Sequence, residues 1–202
     1  MEWRAYGPAM KYAFLALLAL LFGSLAHAAP KQTETAYFAG GCFWCVEHDM
    51  ASIPGVIDVV SGYAGGDVKR PTYENHGTHL EAVKVVFDPT KISYRQLADR
   101  FWPLIDPTDA GGQFCDRGNS YKTAIWVLNQ RQLEAANASR AAAAAKLKQG
   151  KMVTPILRFS SFTPAEGYHQ NYAVNNPLRY NVYRQGCARD KRLKQVWGKA
   201  PK

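Results

Sequence analysis

The first half of the chain predicts three strands and a short helix from the spacing of its hydrophobic positions. Residues 34–40 (ETAYFAG) alternate weakly between polar and apolar side chains, and residues 81–88 (EAVKVVFD) alternate clearly, as strands with one buried face do. Residues 55–66 (GVIDVVSGYAGG) predict a strand that ends in glycines. Residues 42–52, between the first two strands in sequence, predict a helix that stops before Pro54.

The sequence of the second half predicts two longer helices, and the loop between them is long enough to suggest a function. Ser93 followed by Gln96 is a capping box, which predicts a helix to about residue 105. A second cap at Asn129 opens an alanine-rich helix to about residue 148. The other predicted elements are a long loop, two strands and a basic helix, at residues 106–120, 121–128, 154–159 and from about 188.

The order of these elements predicts an α+β fold. It is β-α-β-β-α-β with one added helix and strand, the split β-α-β pattern in which helices cover one face of a sheet. We therefore expect a two-layer sandwich with a ferredoxin-like split β-α-β core and an irregular C-terminal tail. The length of the chain suits one domain of this kind.

The N-terminus has the layout of a secretory signal peptide. Basic residues precede an apolar run at 13–22, and AHA at 26–28 offers small residues at a cleavage site. The run is too short for a transmembrane span of about 20 residues. We predict a signal peptide over residues 1–28, one mature domain over 29–202, and a periplasmic or secreted location, with an uncleaved membrane anchor as the alternative.

The net charge of +9 raises the question of an anionic partner. The excess of Lys and Arg gathers at the C-terminus, and a basic tail of this kind can bind nucleic acid or anionic lipid. On an exported protein we interpret it as a solvated cationic face. We therefore expect a monomer with no nucleic-acid partner and no stable membrane association after cleavage of the leader.

Cys42 is the first candidate for chemistry. In GGCFWCVE it follows a strand and two glycines and opens a helix, where backbone N–H groups and the helix dipole favour negative charge. We expect a lowered thiol pKa and a nucleophilic role, with a buried inert cysteine as the alternative. Phe43 and Trp44 beside it suggest one wall of an apolar pocket, although plain core packing also explains them.

The C-x-x-C spacing of Cys42 and Cys45 allows two other functions. Zinc needs two further ligands at suitable spacing, and Cys115 and Cys187 are isolated while the histidines are scattered, so we predict no metal and no cofactor. A dithiol-disulfide oxidoreductase is the serious rival, because C-x-x-C after a strand is the thioredoxin-like signal. Two large aromatics between the cysteines argue against it.

Polar residues suited to proton delivery occur further along. Glu81 opens an apolar strand, where burial would raise its pKa and let it act as an acid. Asp116 and Tyr121 lie at a loop-to-strand junction, and Tyr73 lies in the loop before Glu81. Tyrosines donate hydrogen bonds without carrying charge. Each residue alone is a weak signal, because a single Tyr or Asp in a loop is usually structural.

Seven segments together resemble the A-type peptide methionine sulfoxide reductase family: GGCFWCVE, PGV, SGYAGG, PTY, H-x-E-A-V-x-V-x-F-D-P, FCDRGNSYKTAI and AEGYHQNY. The resemblance runs from about residue 36 to 198. It implies an enzyme that reduces the S-sulfoxide of methionine, free or in proteins. It implies Cys42 as the catalytic cysteine and Glu81 as the acid. A non-catalytic binder of oxidised methionine is a further alternative.

The resemblance also implies roles for the other candidates. Phe43 and Trp44 would cradle the methyl group of the sulfoxide, and the oxygen would be bound or supported by Tyr73, Asp116 and Tyr121. A sulfenic acid on Cys42 would be attacked by Cys187, and a thioredoxin-like protein would reduce the resulting disulfide. Cys45, which stands where the family commonly has Gly, is the alternative attacking thiol, and we interpret Cys115 as structural.

Overall fold

The elements of the protein are defined by a computed structural model that describes residues 32–148 and 150–198. Its strands are β1 (Glu34–Gly40), β2 (Val56–Ala64), β3 (Leu80–Phe87), β4 (Gly112–Gln113), β5 (Asp116–Arg117), β6 (Thr123–Val127), β7 (Ile156–Arg158) and β8 (Phe162–Pro164). Its α-helices are α1 (Phe43–Ala51), α2 (Tyr94–Phe101), α3 (Gln130–Ala144), α4 (Tyr172–Asn175), α5 (Pro177–Gly186) and α6 (Arg189–Trp197). Short 3-10 turns lie at Trp102–Leu104, Asn119–Tyr121 and Gly167–His169.

One six-stranded mixed sheet carries the fold, in the order β7-β6-β1-β3-β2-β8. Its neighbouring strands are antiparallel except β6 and β7, which are parallel. The prediction of a mixed fold of helices and strands is therefore confirmed. None of the helices within residues 32–148 and 150–198 is long and apolar enough to cross a membrane. The predicted signal peptide lies outside the described residues.

The pairing of β1 with β3 determines where the site lies. The two strands are antiparallel, and Phe38 of β1 pairs with Val83 of β3. The C-terminal end of β1, which leads into Cys42, therefore lies beside the N-terminal part of β3, which carries Glu81. Two residues far apart in sequence are brought together by the register of a single strand pair.

The helices pack on the sheet through a core of large apolar side chains. The Phe38 ring of β1 stacks on the Phe101 ring of α2 at a centroid distance of 4.6 Å. Leu97 of the same helix is fully buried in this core. A second apolar cluster contains small residues and one large ring: Ala39, Ala64, Ala82, Ala124 and Trp126. The larger cluster packs α1, which follows Cys42, against the sheet.

Both predicted helix caps are present. The Ser93 side chain accepts the N–H of Gln96 and the Gln96 side chain accepts the N–H of Ser93, which completes the capping box of α2. Asn129 accepts the N–H of Gln132 at the start of α3. These caps satisfy backbone donors that have no partner inside the helix. They explain why the helix starts were predicted more closely than the helix ends.

The expectation of an irregular C-terminal tail was wrong. The segment after residue 171 folds into α4, α5 and α6, and only the basic helix α6 had been predicted. Pro177 lies at the start of α5, where its missing N–H and fixed φ favour a helix. Ala188, in the left-handed region at φ 51°, separates α5 from α6. The Pro/Asn-rich composition therefore marked a helix start rather than an irregular segment.

Gly41 permits the sharp turn from β1 into α1. Its φ of +83° is in the left-handed region, and a Cβ there would lie 2.5 Å from the Cβ of Gln113. Gln113 cannot easily move, because it is fully buried and its side chain bonds the backbone N–H and C=O of Asp106. This turn is therefore specific to glycine.

We expect Gly41→Ala to lower the free energy of unfolding by about 2–4 kcal/mol, because left-handed strain and overpacking add at this position. Urea denaturation followed by circular dichroism measures the change. Gly186→Ala is the matched control, since a Cβ there would meet nothing within 4 Å, and it should cause no loss. Equal stability of the two variants would contradict this account of the turn.

Candidate active site

Cys42 occupies the N-cap position of α1 and is nearly buried. Its backbone C=O accepts the N–H groups of Cys45 and Val46, and its side chain makes no capping hydrogen bond. Only 5% of the residue is exposed. The sequence-based prediction that Cys42 opens a helix after two glycines is confirmed, and the thiol faces an enclosed site rather than open solvent.

Glu81 lies beside Cys42 and is also buried, at 2% exposure. Its Oε2 accepts the backbone N–H of Phe43, the first residue of α1, at 2.9 Å. Burial raises the pKa of Glu81 to about 8, although the Phe43 N–H opposes the shift, and the charges of Asp116 and Cys45 add to it. The carboxyl is therefore mostly protonated at neutral pH, as the sequence predicted from its place on an apolar strand.

Cys42 and Cys45 form a hydrogen-bonded pair of thiols whose ionisation differs from the expectation. Burial raises the pKa of Cys42 well above its usual range, and the hydrogen bond to Cys45 adds to that increase. The same hydrogen bond from Cys42 lowers the pKa of Cys45 to about 7, and Arg189 and Arg184 contribute to the lowering. The first negative charge of the pair therefore resides on Cys45 and is shared with Cys42 through the hydrogen bond.

The predicted low pKa of Cys42 was wrong for a physical reason. The helix start does present an N–H group, but Glu81 accepts it at Phe43 instead of the thiolate. Burial then disfavours the charged form of Cys42, and a charge on Glu81 disfavours it further. A position at a helix N-terminus therefore does not by itself lower the pKa of a thiol when a carboxyl already accepts the N–H of the first turn.

A cavity of about 60 Å³ joins these groups. Its lining contains every predicted catalytic or substrate-binding residue except Cys187, and one residue that the sequence analysis missed: Cys42, Phe43, Trp44, Tyr73, Glu81, Asp116, Tyr121 and Tyr183. The structure therefore brings together side chains from five separate segments of the chain.

The two aromatics beside Cys42 differ in environment. Phe43 is almost fully buried and belongs to the main core as well as to the cavity wall. Trp44 is partly exposed, stacks on Tyr172 at a centroid distance of 3.7 Å, and donates its indole N–H to Nδ1 of His169 at 3.1 Å. Phe43 is therefore part of both the pocket wall and the core. Trp44 is part of the pocket wall, and its contacts with Tyr172 and His169 hold its ring in place.

Hydroxyl groups form the polar side of the cavity. The side chains of Tyr73 and Tyr121 are hydrogen-bonded to each other. Burial raises the pKa of Tyr73 and of Tyr121, so both remain protonated donors at neutral pH. Burial likewise raises the pKa of Asp116, whose Oδ2 accepts the hydroxyl of Tyr183.

Tyr183 is the main functional residue that sequence reasoning missed. Its hydroxyl donates to Asp116 and is hydrogen-bonded to the thiol of Cys42, so it links the polar side of the cavity to the sulfur. Burial raises its pKa, which keeps the proton on the hydroxyl. Its position one helical turn before Cys187 was the available signal, and it was hidden by the expectation of an irregular tail.

Glu166 is a second missed residue, and it supports the pocket from outside. Its carboxylate accepts the hydroxyl of Tyr63 at 2.8 Å and the backbone N–H of Tyr73 at 2.9 Å. It therefore holds the loop that carries Tyr73 against β2. Glu47 is a second buried carboxyl, on α1, and burial raises its pKa.

Cys187 is joined to Cys115 in a disulfide, while Cys42 and Cys45 are free. The Cα atoms of the bonded pair are 4.8 Å apart, and Cys115 is exposed. Phe114 and Ala188, which adjoin the two bonded cysteines, both have a positive φ. Each left-handed non-glycine residue costs about 1–2 kcal/mol. The interpretation of Cys115 as a structural residue thus gains a specific partner.

One group of possible metal ligands exists among the described residues, formed by Cys115, Asp116 and Cys187 within 4.8 Å of one another. Both sulfurs of this group are bonded to each other in the disulfide. A disulfide sulfur lacks the thiolate charge with which cysteine binds zinc. The donor set therefore does not fit a metal in this state of the protein.

The chain is similar to known proteins of one family. The sequence model of the family described as peptide methionine sulfoxide reductase matches residues 34–201. A protein of Caulobacter vibrioides named peptide methionine sulfoxide reductase MsrA 2 is 54% identical over 190 residues, which cover 92% of this chain and 96% of the relative.

Solved structures share the fold. The methionine sulfoxide reductase A of Corynebacterium diphtheriae has a TM-score of 0.65 and 32% identity, covering 74% of this chain and 78% of that one. Reduced Mxr1 of Saccharomyces cerevisiae has a TM-score of 0.68 and 27% identity, covering 73% and 88%. Mxr1 has also been solved in complex with Trx2, at 21% identity, a TM-score of 0.52 and coverage of 74% and 91%.

These findings identify the molecule as an oxidoreductase that acts on sulfur groups. The chain belongs to the peptide methionine sulfoxide reductase family, and its relatives assign it to the A type, MsrA.

The thiol pair provides a direct test of the electrostatics. Because the Cys42–Cys45 hydrogen bond lowers the pKa of Cys45 to about 7, the protein with its disulfide intact should lose one thiol proton near that pH. We expect Cys45→Ser to remove this ionisation and leave a single thiol that titrates at clearly higher pH. Thiolate absorbance in the ultraviolet, recorded against pH, measures both proteins.

Cys42→Ser is the reciprocal control for this titration. It removes the hydrogen bond that lowers the Cys45 pKa, so its remaining thiol should also titrate above the value of the pair. A Cys45→Ser protein that still ionises at or below pH 7 would show that the helix start, rather than the neighbouring thiol, controls Cys42.

Proposed function

We propose that this protein reduces methionine-S-sulfoxide in proteins or as the free amino acid, with Cys42 as the nucleophile and Glu81 as the acid. One observation carries the proposal: a buried carboxyl with a pKa of about 8 lines the same small cavity as the Cys42 thiol. Family membership supports the reaction class, and the chemistry of the cavity supports these roles.

A sulfoxide needs a proton at its oxygen before a thiol can displace that oxygen. The sulfur is a poor electrophile because hydroxide leaves it poorly, and protonation during attack removes this obstacle. A carboxyl that is still protonated at neutral pH can supply the proton. The tyrosine hydroxyls around the cavity stabilise the polar oxygen, which would be costly to bury without donors.

The reductive step balances as a two-electron exchange between sulfurs. The Cys42 sulfur attacks the sulfoxide sulfur, and Glu81 gives its proton to the oxygen. The oxygen then passes to Cys42, which becomes a sulfenic acid while the methionine sulfur is reduced by two electrons. The negative charge that the pair holds on Cys45 supports the attack, because the Cys45 thiolate can accept the Cys42 thiol proton through their hydrogen bond.

Selection of one epimer follows from a cavity with one apolar and one polar side. The methyl group would contact Phe43 and Trp44, while the oxygen would face Tyr73, Tyr121 and the carboxyls. Exchanging oxygen and lone pair at the sulfur would direct the oxygen away from its donors. The volume of about 60 Å³ suits the small terminal group of the side chain.

Regeneration requires a second thiol and an external reductant. We propose that Cys187 attacks the sulfenic acid, which releases water and forms a Cys42–Cys187 disulfide. Cys187 must first be released from Cys115, and a dithiol protein of the thioredoxin type is the reductant we propose. The complex of Mxr1 with Trx2 supports a partner of this class.

A dithiol-disulfide oxidoreductase acting through Cys42 and Cys45 is the alternative function. Both of these thiols are buried, at 5% and 2% exposure, whereas such a dithiol must meet the backbone of a partner. A non-catalytic binder of oxidised methionine is the other alternative. The protonated carboxyl beside the thiol argues against it, because binding alone needs no acid.

We further propose that the protein repairs exported proteins in the periplasm or outside the cell. The N-terminal pattern of the sequence supports this proposal, and so does a disulfide, which persists in oxidising compartments. N-terminal sequencing of the protein recovered from a periplasmic fraction should begin at Ala29. Recovery of the uncleaved chain in the cytosolic fraction would oppose the proposal.

We also propose that the core of the fold has ferredoxin-like topology. The four central strands follow the order β6-β1-β3-β2 with antiparallel neighbours. Along the chain, α1 lies between β1 and β2, and α2 lies between β3 and β6, and this order supports a ferredoxin-like split β-α-β core. Strands β7 and β8 extend that core at its two edges.

The decisive assay separates the two epimers of a blocked methionine sulfoxide. With dithiothreitol as reductant, we expect the purified protein to convert the S form to methionine and to leave the R form unchanged. Cys42→Ser should abolish conversion, because no other thiol lines the cavity. Absence of turnover on the S form, or undiminished activity in Cys42→Ser, would exclude the proposed reaction.

The role of Glu81 predicts both a rate and a pH effect. Glu81→Gln should slow single-turnover formation of methionine by about 10²–10⁴-fold, because an amide cannot donate the proton. In the unmodified protein the rate should fall as the pH rises through about 8, where Glu81 loses its proton, and the variant should lack this decline. Rapid-quench measurement of methionine at a series of pH values tests both effects.

Glu47→Gln is the matched control for Glu81→Gln. Glu47 is a second buried carboxyl with a raised pKa, and it lies outside the cavity lining. Its replacement should change the rate by no more than a few-fold and keep the alkaline decline. Similar losses in both variants would mean that a buried charge, rather than proton donation, explains the effect of Glu81.

A further inference from the structure

The Cys115–Cys187 disulfide lies directly behind the polar wall of the catalytic cavity. Asp116, which lines the cavity, follows Cys115 in sequence, and Tyr183, which also lines it, precedes Cys187 by one turn of helix. The backbone N–H of Cys187 donates to the C=O of Tyr183 at 3.0 Å. The hydroxyl of Tyr183 bonds Asp116, so the two segments are joined at the wall as well as at the disulfide.

The two sides of this wall are accessible to different reactants. Cys42 faces the enclosed cavity and is 5% exposed, so a protein reductant has little access to it. Cys115 is exposed at the surface, and Cys187 is half-buried between the two. An oxidised sulfur formed at Cys42 therefore needs a path to the surface before a protein can reduce it.

We propose that Cys115 is the terminal thiol of the catalytic cycle and the atom at which the external dithiol protein enters. The proposal rests on the proposed function, since it assumes a sulfenic acid at Cys42. It assigns Cys115 a redox role in place of the purely structural role that its sequence suggests. The disulfide present in the structure is then the last oxidised state of the cycle.

The exchange balances in three steps. First, the Cys187 thiol attacks the Cys42 sulfenic acid, and water leaves as the Cys42–Cys187 bond forms. Second, the Cys115 sulfur attacks the Cys187 sulfur while Asp116 accepts its proton; the Cys115–Cys187 bond forms, the Cys42–Cys187 bond breaks, and Cys42 leaves as a thiolate. Third, the external dithiol transfers two electrons to the Cys115–Cys187 bond and is itself oxidised to a disulfide.

Asp116 fits the second step of this sequence. Its Oδ1 lies 3.6 Å from the Sγ of Cys115, within reach of a thiol proton once the disulfide is reduced. As a general base, its carboxyl can accept that proton while the Cys115 sulfur attacks Cys187, so that no free thiolate persists beside the carboxylate. Asp116 thus lines the cavity on one side and assists the thiol–disulfide exchange on the other.

The charges around the disulfide give the third step a direction. The incoming thiolate reaches Cys115 because that sulfur is exposed, and the electrons of the broken bond leave with Cys187. The Asp116 carboxylate disfavours negative charge on Cys115. Cys187 instead borders a surface hollow with Lys191 and Arg192, in which Asp106 is paired with Arg192. The sulfur that better carries negative charge is the one that leaves.

The wild-type protein tests the relay without any substitution. The fully reduced protein is freed of reductant, mixed with one equivalent of methionine-S-sulfoxide, quenched at intervals and mapped by mass spectrometry. We expect one equivalent of methionine, a Cys42–Cys187 disulfide at early times and a Cys115–Cys187 disulfide at the end. Methionine with Cys115 still a thiol at the end would overturn the relay alone, and absence of methionine would overturn the proposed function and the relay with it.

The entry point is tested by trapping. A thioredoxin whose second active-site cysteine is replaced by serine stops at the mixed disulfide when it meets the oxidised protein. We expect it on the tryptic peptide that contains Cys115. Attachment at Cys187 or Cys42 would overturn the assignment of Cys115.

Cys115→Ser gives an independent test. We expect Cys42–Cys187 to accumulate after substrate and thioredoxin-supported turnover to fall at least ten-fold, whereas the wild-type protein ends with Cys115–Cys187. A purely structural Cys115 would instead give a lower melting temperature with unchanged thioredoxin-supported turnover, and that result would overturn the proposal. Cys42–Cys115 in a Cys187→Ser protein would reverse the order of the two thiols and overturn it too.

Discussion

The hydrogen bond from the Phe43 amide to the buried Glu81 carboxyl is the contact on which the site depends. It joins the first turn of α1 to β3 and fixes the acid next to the cysteine that caps the helix. It also takes the N–H that would otherwise stabilise a thiolate on Cys42. The carboxyl stays mostly protonated because it is buried, and the thiol loses its expected acidity for the same reason. Burial thus raises the pKa of both groups, and the Phe43 contact fixes their relative position.

The parts of the molecule that local sequence determines were predictable. Period-two alternation predicted β1 and β3, and polar caps predicted the starts of α2 and α3, because these signals act over a few residues. The short motif around Cys42 predicted a thiol at a helix start. The burial of Glu81 followed from its position on an apolar strand. Each of these inferences needed only neighbours in the chain.

The parts that depend on distant contacts were not predictable. Tyr183 reaches Cys42 only because α5 folds back against the first helix, and its proline-led start was mistaken for irregular chain. Four cysteines allow three complete pairings, and sequence alone cannot choose among them. The ionisation of Cys42 depends first on its burial, which distant segments of the chain create, and also on the carboxyl of Glu81, 39 positions away.

The small volume of the cavity bears on which damaged proteins the enzyme can serve. A space of about 60 Å³ admits the tip of one side chain but no part of a folded neighbour. Under the proposed function, an oxidised methionine would reach the sulfur only when its side chain projects from the surface of its own protein. Methionine sulfoxides enclosed in an intact core would then stay out of reach until that core opens.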